Sequence, residues 1–203
     1  MDRLLRTSPL TVAVLAAVLA AGGCQGGSGG AGGGTSDRAR EIRRALDDAR
    51  SQGADQSQIA LLEKGEPTFE SYQEAVNRSI DCVRRAGIEV VNNGISDSRG
   101  FPMVDVGYAA QAEGQSEEQT RALIDDCLLR YDQWISSLYQ TGPAALTGMD
   151  RQFESIRPAY LACLRKYGLK VDDKASRQEA ENAEVQLWHD HPGLDCHSEA
   201  KAG

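Results

Sequence analysis

From Asp37 onward the chain alternates short amphipathic stretches with breaks, and their spacing predicts helices more than strands. Ala39, Ile42, Ala45, Leu46 and Ala49 recur at helical intervals over 37–50, so one apolar stripe forms and Gly53 ends the helix. Asp55-Gln56-Ser57-Gln58 reads as a cap before Ile59, Leu61 and Leu62. Glu66-Pro67 is a break. Thr68 then caps a helix to about Ala86 with Phe69, Tyr72, Ala75, Val76 and Ile80 inward. Ile88 to Val91 and Met103 to Tyr108 are short β-branched or alternating runs around the turn-rich Asn92 to Gly100, which predicts a hairpin. Ser116 with Gln119 opens a helix expected to run to about Leu138, where Gly142-Pro143 follows. Asp150 to Tyr167 is helical with Pro158 inside, so a kink or fresh start is expected there. Leu169 to Val171 offers a third strand. Asp173 is expected to cap a last helix that Pro192 stops, leaving an irregular tail around Cys196. The fold class is mainly α, a helix-rich α+β arrangement of about five helices with a small two- or three-stranded sheet.

A repeat lies inside this pattern. Ile80 to Val90 (IDCVRRAGIEV) aligns with Leu161 to Val171 (LACLRKYGLKV). Cys82 meets Cys163, Arg84 meets Arg165, Gly87 meets Gly168 and Val90 meets Val171, and upstream Tyr72 meets Phe153. Each copy reads as a cysteine-bearing helix, a glycine stop and a short extended segment, with cations in the last helical turn where they oppose the dipole. A second cysteine follows each copy: Cys127 after Cys82, and Cys196 after Cys163. If the copies fold alike, the disulfides are Cys82–Cys127 and Cys163–Cys196. Four cysteines allow three pairings in all.

The first 36 residues follow another pattern. Arg3 and Arg6 precede an uncharged apolar run from Leu10 to Ala21, and small residues lead to Cys24. A positive start, a short apolar run and a small-residue exit predict a secretory signal. Twelve apolar residues are too few to span a bilayer, which needs ~20. Ala21-Gly22-Gly23-Cys24 resembles the lipobox of bacterial lipoproteins, although Ala21 stands where that motif usually has Leu. The resemblance implies a diacylglyceryl group on Cys24, with acyl chains such as palmitate, and cleavage between Gly23 and Cys24. An ordinary signal cut near Ala20 or Ala21 would instead leave Cys24 as a lone thiol. Gln25 to Ser36 (QGGSGGAGGGTS) can bury nothing and reads as a flexible tether. The expected organisation is therefore a signal peptide over 1–23, lipidated Cys24 and linker over 24–36, and one disulfide-stapled domain over 37–203, held at the extracytoplasmic face of a cell membrane.

Charge and chemistry narrow the function further. The chain carries 22 Lys and Arg against 30 Asp and Glu, a net charge of −8. Removing 1–23 takes out Asp2, Arg3 and Arg6 and leaves −9. An acidic surface argues against nucleic acid and against binding anionic lipid by charge, and the few aromatics suggest no stacking platform. All three histidines lie in Trp188 to His197 (WHDHPGLDCH). His189, His191 and His197 are candidate zinc or copper ligands by residue type, but their spacing matches no known zinc pattern and a bonded Cys196 cannot ligate. Paired acids such as Asp125-Asp126 are neighbours that do not face each other on a helix. No nucleophile motif, calcium loop or phosphate loop stands out. The sequence points to no enzyme and no cofactor, but to a non-catalytic binding or scaffold module meeting an envelope protein or a small ligand. Metal binding at the histidines is the alternative.

Leu61-Leu62-Glu63, Gly65, Thr68-Phe69-Glu70, Tyr72, Cys82 and Gly87 together resemble a progression in uncharacterised secreted proteins and lipoproteins of actinobacteria. That resemblance covers about a quarter of the chain and implies no activity.

Overall fold

The computed structural model describes residues 33–188 and 191–202. Cys24, His189 and Asp190 lie outside them. Eight helices and one hairpin are present among the described residues. In chain order they are α1 (Gly33–Ser51), α2 (Gln56–Glu63), α3 (Phe69–Arg85), β1 (Val90–Ser96), β2 (Met103–Tyr108), α4 (Glu117–Tyr131), α5 (Gln133–Gln140), α6 (Pro143–Lys166), α7 (Arg177–Leu187) and α8 (Cys196–Ala202). The helix-rich expectation holds, but the helices number eight rather than about five.

Each added or shifted helix boundary has an identifiable cause. The helix expected to run from Ser116 to Leu138 is two helices, because the chain breaks at Asp132 (φ −140°). The amide of buried Gln58 spans that break: its Nε2 donates to Leu129 O (3.1 Å) and its Oε1 accepts from Trp134 N (2.9 Å). Helix α2 is capped by Asp55, whose carboxylate accepts the Ser57 N–H. Gln58, expected within that cap, is turned into the core instead. Helix α6 begins at Pro143, not Asp150, since proline suits the first helical position after Gly142. It also passes through Pro158 without interruption. Pro158 and Glu154 are exposed, so the carbonyl that proline leaves without a partner faces water. Helix α7 is capped by Ser176 in a reciprocal box with Glu179. Asp173, expected as that cap, pairs with Arg165. The tail read as irregular is α8, opened by Asp195, whose carboxylate accepts the Ser198 N–H at 2.8 Å.

The sheet has two antiparallel strands. β1 extends to Ser96, through residues expected to be loop, and pairs Ser96 with Met103 and Val90 with Tyr108, with a bulge between Val90 and Asn92. Leu169 to Val171 does not become a third strand. The Val171 carbonyl is taken by the Arg165 guanidinium at 3.0 Å rather than by a neighbouring strand.

The two cysteine modules are visible in the backbone. α3 and α6 end on the same motif: Ile88 N–H reaches Val83 O and Leu169 N–H reaches Leu164 O, both at 3.2 Å. Gly87 (φ +79°) and Gly168 (φ +89°) supply the left-handed residue this cap requires. Beyond the cap the copies part, one into the hairpin and one into α7. The bridges are Cys82–Cys127 and Cys163–Cys196, with Cα separations of 5.7 and 5.6 Å. This is the pairing the repeat predicts.

The interior is divided accordingly. The larger core gathers α1 to α5, the hairpin and the start of α6. Tyr72 stacks on Tyr139 with ring centroids 4.5 Å apart. The Tyr72 hydroxyl accepts the Val104 N–H, and the Tyr139 hydroxyl donates to Pro102 O at 2.8 Å, so the two stacked rings hold the hairpin. A smaller core lies among the C-terminal part of α6, α7 and α8 around the second bridge, and a third cluster surrounds the first bridge. Arg38 ties α1 to the body through Glu66 (2.7 Å). Helix α1 thus begins within the stretch read as linker. No helix among the described residues is long and apolar enough to cross a membrane.

Candidate functional site

The loop between the strands, residues 97–102, crosses onto the start of α6, within the larger core. Gly100 and Gly148 touch there through their backbones. Beside this contact opens a cleft of about 400 Å³, at the small end of the range typical of ligand sites. The larger half contributes Ser98 and Arg99 from the loop. Met149 and Gln152 come from α6, Arg177 and Glu181 from α7, and His197 and Lys201 from α8.

Hydrogen bonds fix these walls. The Ser98 carbonyl accepts from Gln152 Nε2 (2.7 Å) and from Lys201 Nζ (3.1 Å), drawing loop, α6 and α8 together. Arg177, mostly buried, is held by Asp150 and by both oxygens of Glu181. Burial and those carboxylates act oppositely on its guanidinium, and the net effect raises its pKa. Arg99 reaches Gln140 Oε1 at 3.3 Å and lies 5.9 Å from the Phe101 ring centroid. Among the described residues neither Arg99 nor Lys201 forms an ion pair with a carboxylate. With Arg177 balanced by Asp150 and Glu181, Arg99 and Lys201 are the lining's cations without a carboxylate partner among the described residues.

α8 is positioned from below. Buried Glu184 accepts the Tyr160 hydroxyl and, at 2.7 Å, the Cys196 N–H. Burial first, and the Glu184 hydrogen bond second, push the Tyr160 phenol far above its ordinary range, so it remains a donor. With the Cys163–Cys196 bridge, this network sets the first turn of α8 and hence His197. The His197 ring meets Tyr160 edge to face, centroids 6.3 Å apart.

His191 and His197 pack on different tyrosines. His197 faces Tyr160, whereas His191 lies against Tyr167 with ring centroids 5.0 Å apart. Those tyrosines are seven residues apart in sequence, about 10 Å along the α6 axis. No group of three His, Cys, Asp or Glu side chains suited to a metal occurs among the described residues, and Cys196 is committed to its bridge. His189 lies outside the described residues.

A second polar cluster lies inside the larger core. Asp132 is 6% exposed, and its Oδ2 is 2.9 Å from Ser79 Oγ, which is also 2.9 Å from Val76 O. Burial pushes the Asp132 carboxyl up to about 7, only partly opposed by Ser79. One serine hydrogen cannot serve both acceptors. A protonated Asp132 donating to Ser79, with Ser79 donating to Val76 O, satisfies all three. Tyr108 Oη lies beside Ser79 but outside hydrogen-bond geometry. This cluster clamps α3 to the α4–α5 break.

No sequence signal marks Arg99, Gln152, Arg177 or Lys201. They are spread over a hundred residues on four elements, each is an ordinary polar residue of its element, and only His197 belongs to a recognisable cluster. No protein-family model matches this chain, and neither a curated protein nor a solved structure does.

Proposed function

We propose that the protein is an extracytoplasmic lipoprotein, anchored through Cys24, whose tethered domain is a non-catalytic module that binds a small ligand in the cleft between its halves. The observation that carries the reading is the cleft itself: both halves and the hairpin loop contribute to one concave, polar-walled space beside the glycine contact. Two disulfides in a domain of this size suit an oxidising compartment, in keeping with an export signal.

Two measurements test it. Expressed with its signal in a bacterium that processes lipoproteins, the full chain should fractionate with membranes and carry a diacylglyceryl mass on Cys24. Cys24→Ser should be exported and soluble. Equal fractionation of the two would overturn the anchor. A photoreactive residue replacing Gln152 should crosslink to a small molecule in intact cells. If it labels nothing there, the ligand-binding module fails.

A further inference from the structure

The charge of the cleft says what kind of group it takes. Arg177 is neutralised by Asp150 and Glu181, so it acts as wall. Arg99 and Lys201 differ from it. Both are exposed, both belong to the cleft lining, and their fixed partners are uncharged: the Gln140 amide and the Ser98 carbonyl. Lys201 Nζ is bound to the carbonyl of Ser98, the residue before Arg99, and both cations line the cleft. Gln152 adds an amide from the α6 wall. A guanidinium and an ammonium group lining one cleft, with the Gln152 amide on the same Ser98 carbonyl as the ammonium, are donors of the kind that recognise an oxyanion. Met149 gives the cleft a short apolar surface for the body of the molecule carrying it.

We infer that the cleft binds a small molecule through an oxyanion group, carboxylate or phosphate, held by Arg99 and Lys201. The inference rests on the cleft being the binding site and adds the chemical class of the ligand. On an acidic chain these two cations are a local exception. The anion could arrive free or as the headgroup of a lipid in the membrane to which the domain is tethered.

The test is titration calorimetry on the exported, unlipidated Cys24→Ser chain with inorganic phosphate, glycerol 3-phosphate and citrate. Vesicles of phosphatidylglycerol, compared with phosphatidylcholine, form the lipid arm. At least one anion should bind, with affinity falling as salt rises. Arg99→Ala and Lys201→Ala should each weaken it by about tenfold or more, Lys201→Arg should retain most of it, and Lys170→Ala on a remote surface should leave it unchanged. Both target residues are exposed, so unchanged thermal melting will confirm that the variants are folded. Binding of phosphatidylglycerol vesicles lost in the same variants would assign the anion to a lipid. No binding by any probe, or weak binding that ignores both substitutions (an adventitious ion only), would overturn the inference. An uncharged molecule crosslinked at position 152 would also overturn it while leaving the binding module standing.

Discussion

Gly100 and Gly148 are locked against each other: a Cβ on Gly100 would lie 2.3 Å from the Gly148 carbonyl oxygen, and one on Gly148 would lie 2.2 Å from the Gly100 carbonyl oxygen. Gly100 also has a φ of +85°, which an L side chain rarely adopts. Both obstacles are backbone atoms, so neither can rotate away. Gly148→Ala should force the hairpin loop off α6 and destabilise the protein by roughly 1–3 kcal/mol, in the range of overpacked cores. Gly100→Ala should cost more, because it adds about 1 kcal/mol or more of backbone strain. Urea unfolding of both variants checks the order. A Gly148→Ala protein as stable as the parent would show that the seating of the loop on α6 does not depend on this contact.

Gln58 is predicted to be the most costly polar residue to remove from the core. It is 0% exposed and serves two backbone groups that the break between α4 and α5 releases. Gln58→Ala leaves a cavity and strands Leu129 O and Trp134 N–H, so a loss of about 2–4 kcal/mol is expected. Gln58→Leu fills the space but satisfies neither group, and should recover little. Gln58→Glu keeps one acceptor and should be intermediate only at low pH. Thermal melting of the three separates the cavity from the lost hydrogen bonds.

How much of this was legible depended on whether the cause was local. The caps of α3 and α4 were readable, because Thr68 and Ser116 act on amides three residues away. The bridges were readable through the repeat, whose two glycine stops proved to be the same backbone motif. The α4–α5 break was not, since Asp132 looks like any helix surface acid until Ser79, 53 residues away, takes its carboxyl inward. The missing third strand has the same character: Val171 has strand chemistry, but Arg165 occupies its carbonyl. The cleft was the least legible part, because its residues converge only after the loop, α6, α7 and α8 are folded together.

The buried Asp132 carboxyl makes stability depend on pH in a direction opposite to that of a salt-bridged acid. Its folded-state pKa is raised to about 7, above the unfolded value near ~4. The folded protein therefore holds this proton more tightly. The contribution is fully present below about pH 4 and is lost progressively as pH rises through about 7. The full difference is at most about 4 kcal/mol. Asp132→Asn keeps a donor for Ser79 but has no proton to lose. The stability difference between the Asp132→Asn variant and the parent should grow between about pH 4 and 7 in favour of the variant, then level off. Paired urea titrations across that range and about one unit above it measure the difference. A difference that is flat with pH would mean that Asp132 is ionised in the folded state throughout.

The second bridge is expected to matter more for the cleft than the first. Cys163–Cys196 closes 33 residues and Cys82–Cys127 closes 45, and loop entropy assigns each about 4 kcal/mol. Their surroundings differ. Cys82–Cys127 joins two long helices that also pack against the larger core, whereas α8 is seven residues long and rests mainly on the small core and on Glu184. Cys163→Ala/Cys196→Ala should therefore release α8 before anything else unfolds. Hydrogen exchange should rise sharply at Glu199 and its neighbours while the amides of α3 and of the first turns of α6 keep their protection. His197 and Lys201 leave the cleft with α8, so anion binding should be lost in this variant at temperatures where its circular dichroism is nearly native. Cys82→Ala/Cys127→Ala should instead lower global stability and keep the cleft intact as long as the fold persists. Exchange that rises uniformly in the first variant would show a single cooperative unit rather than a detachable C-terminal helix.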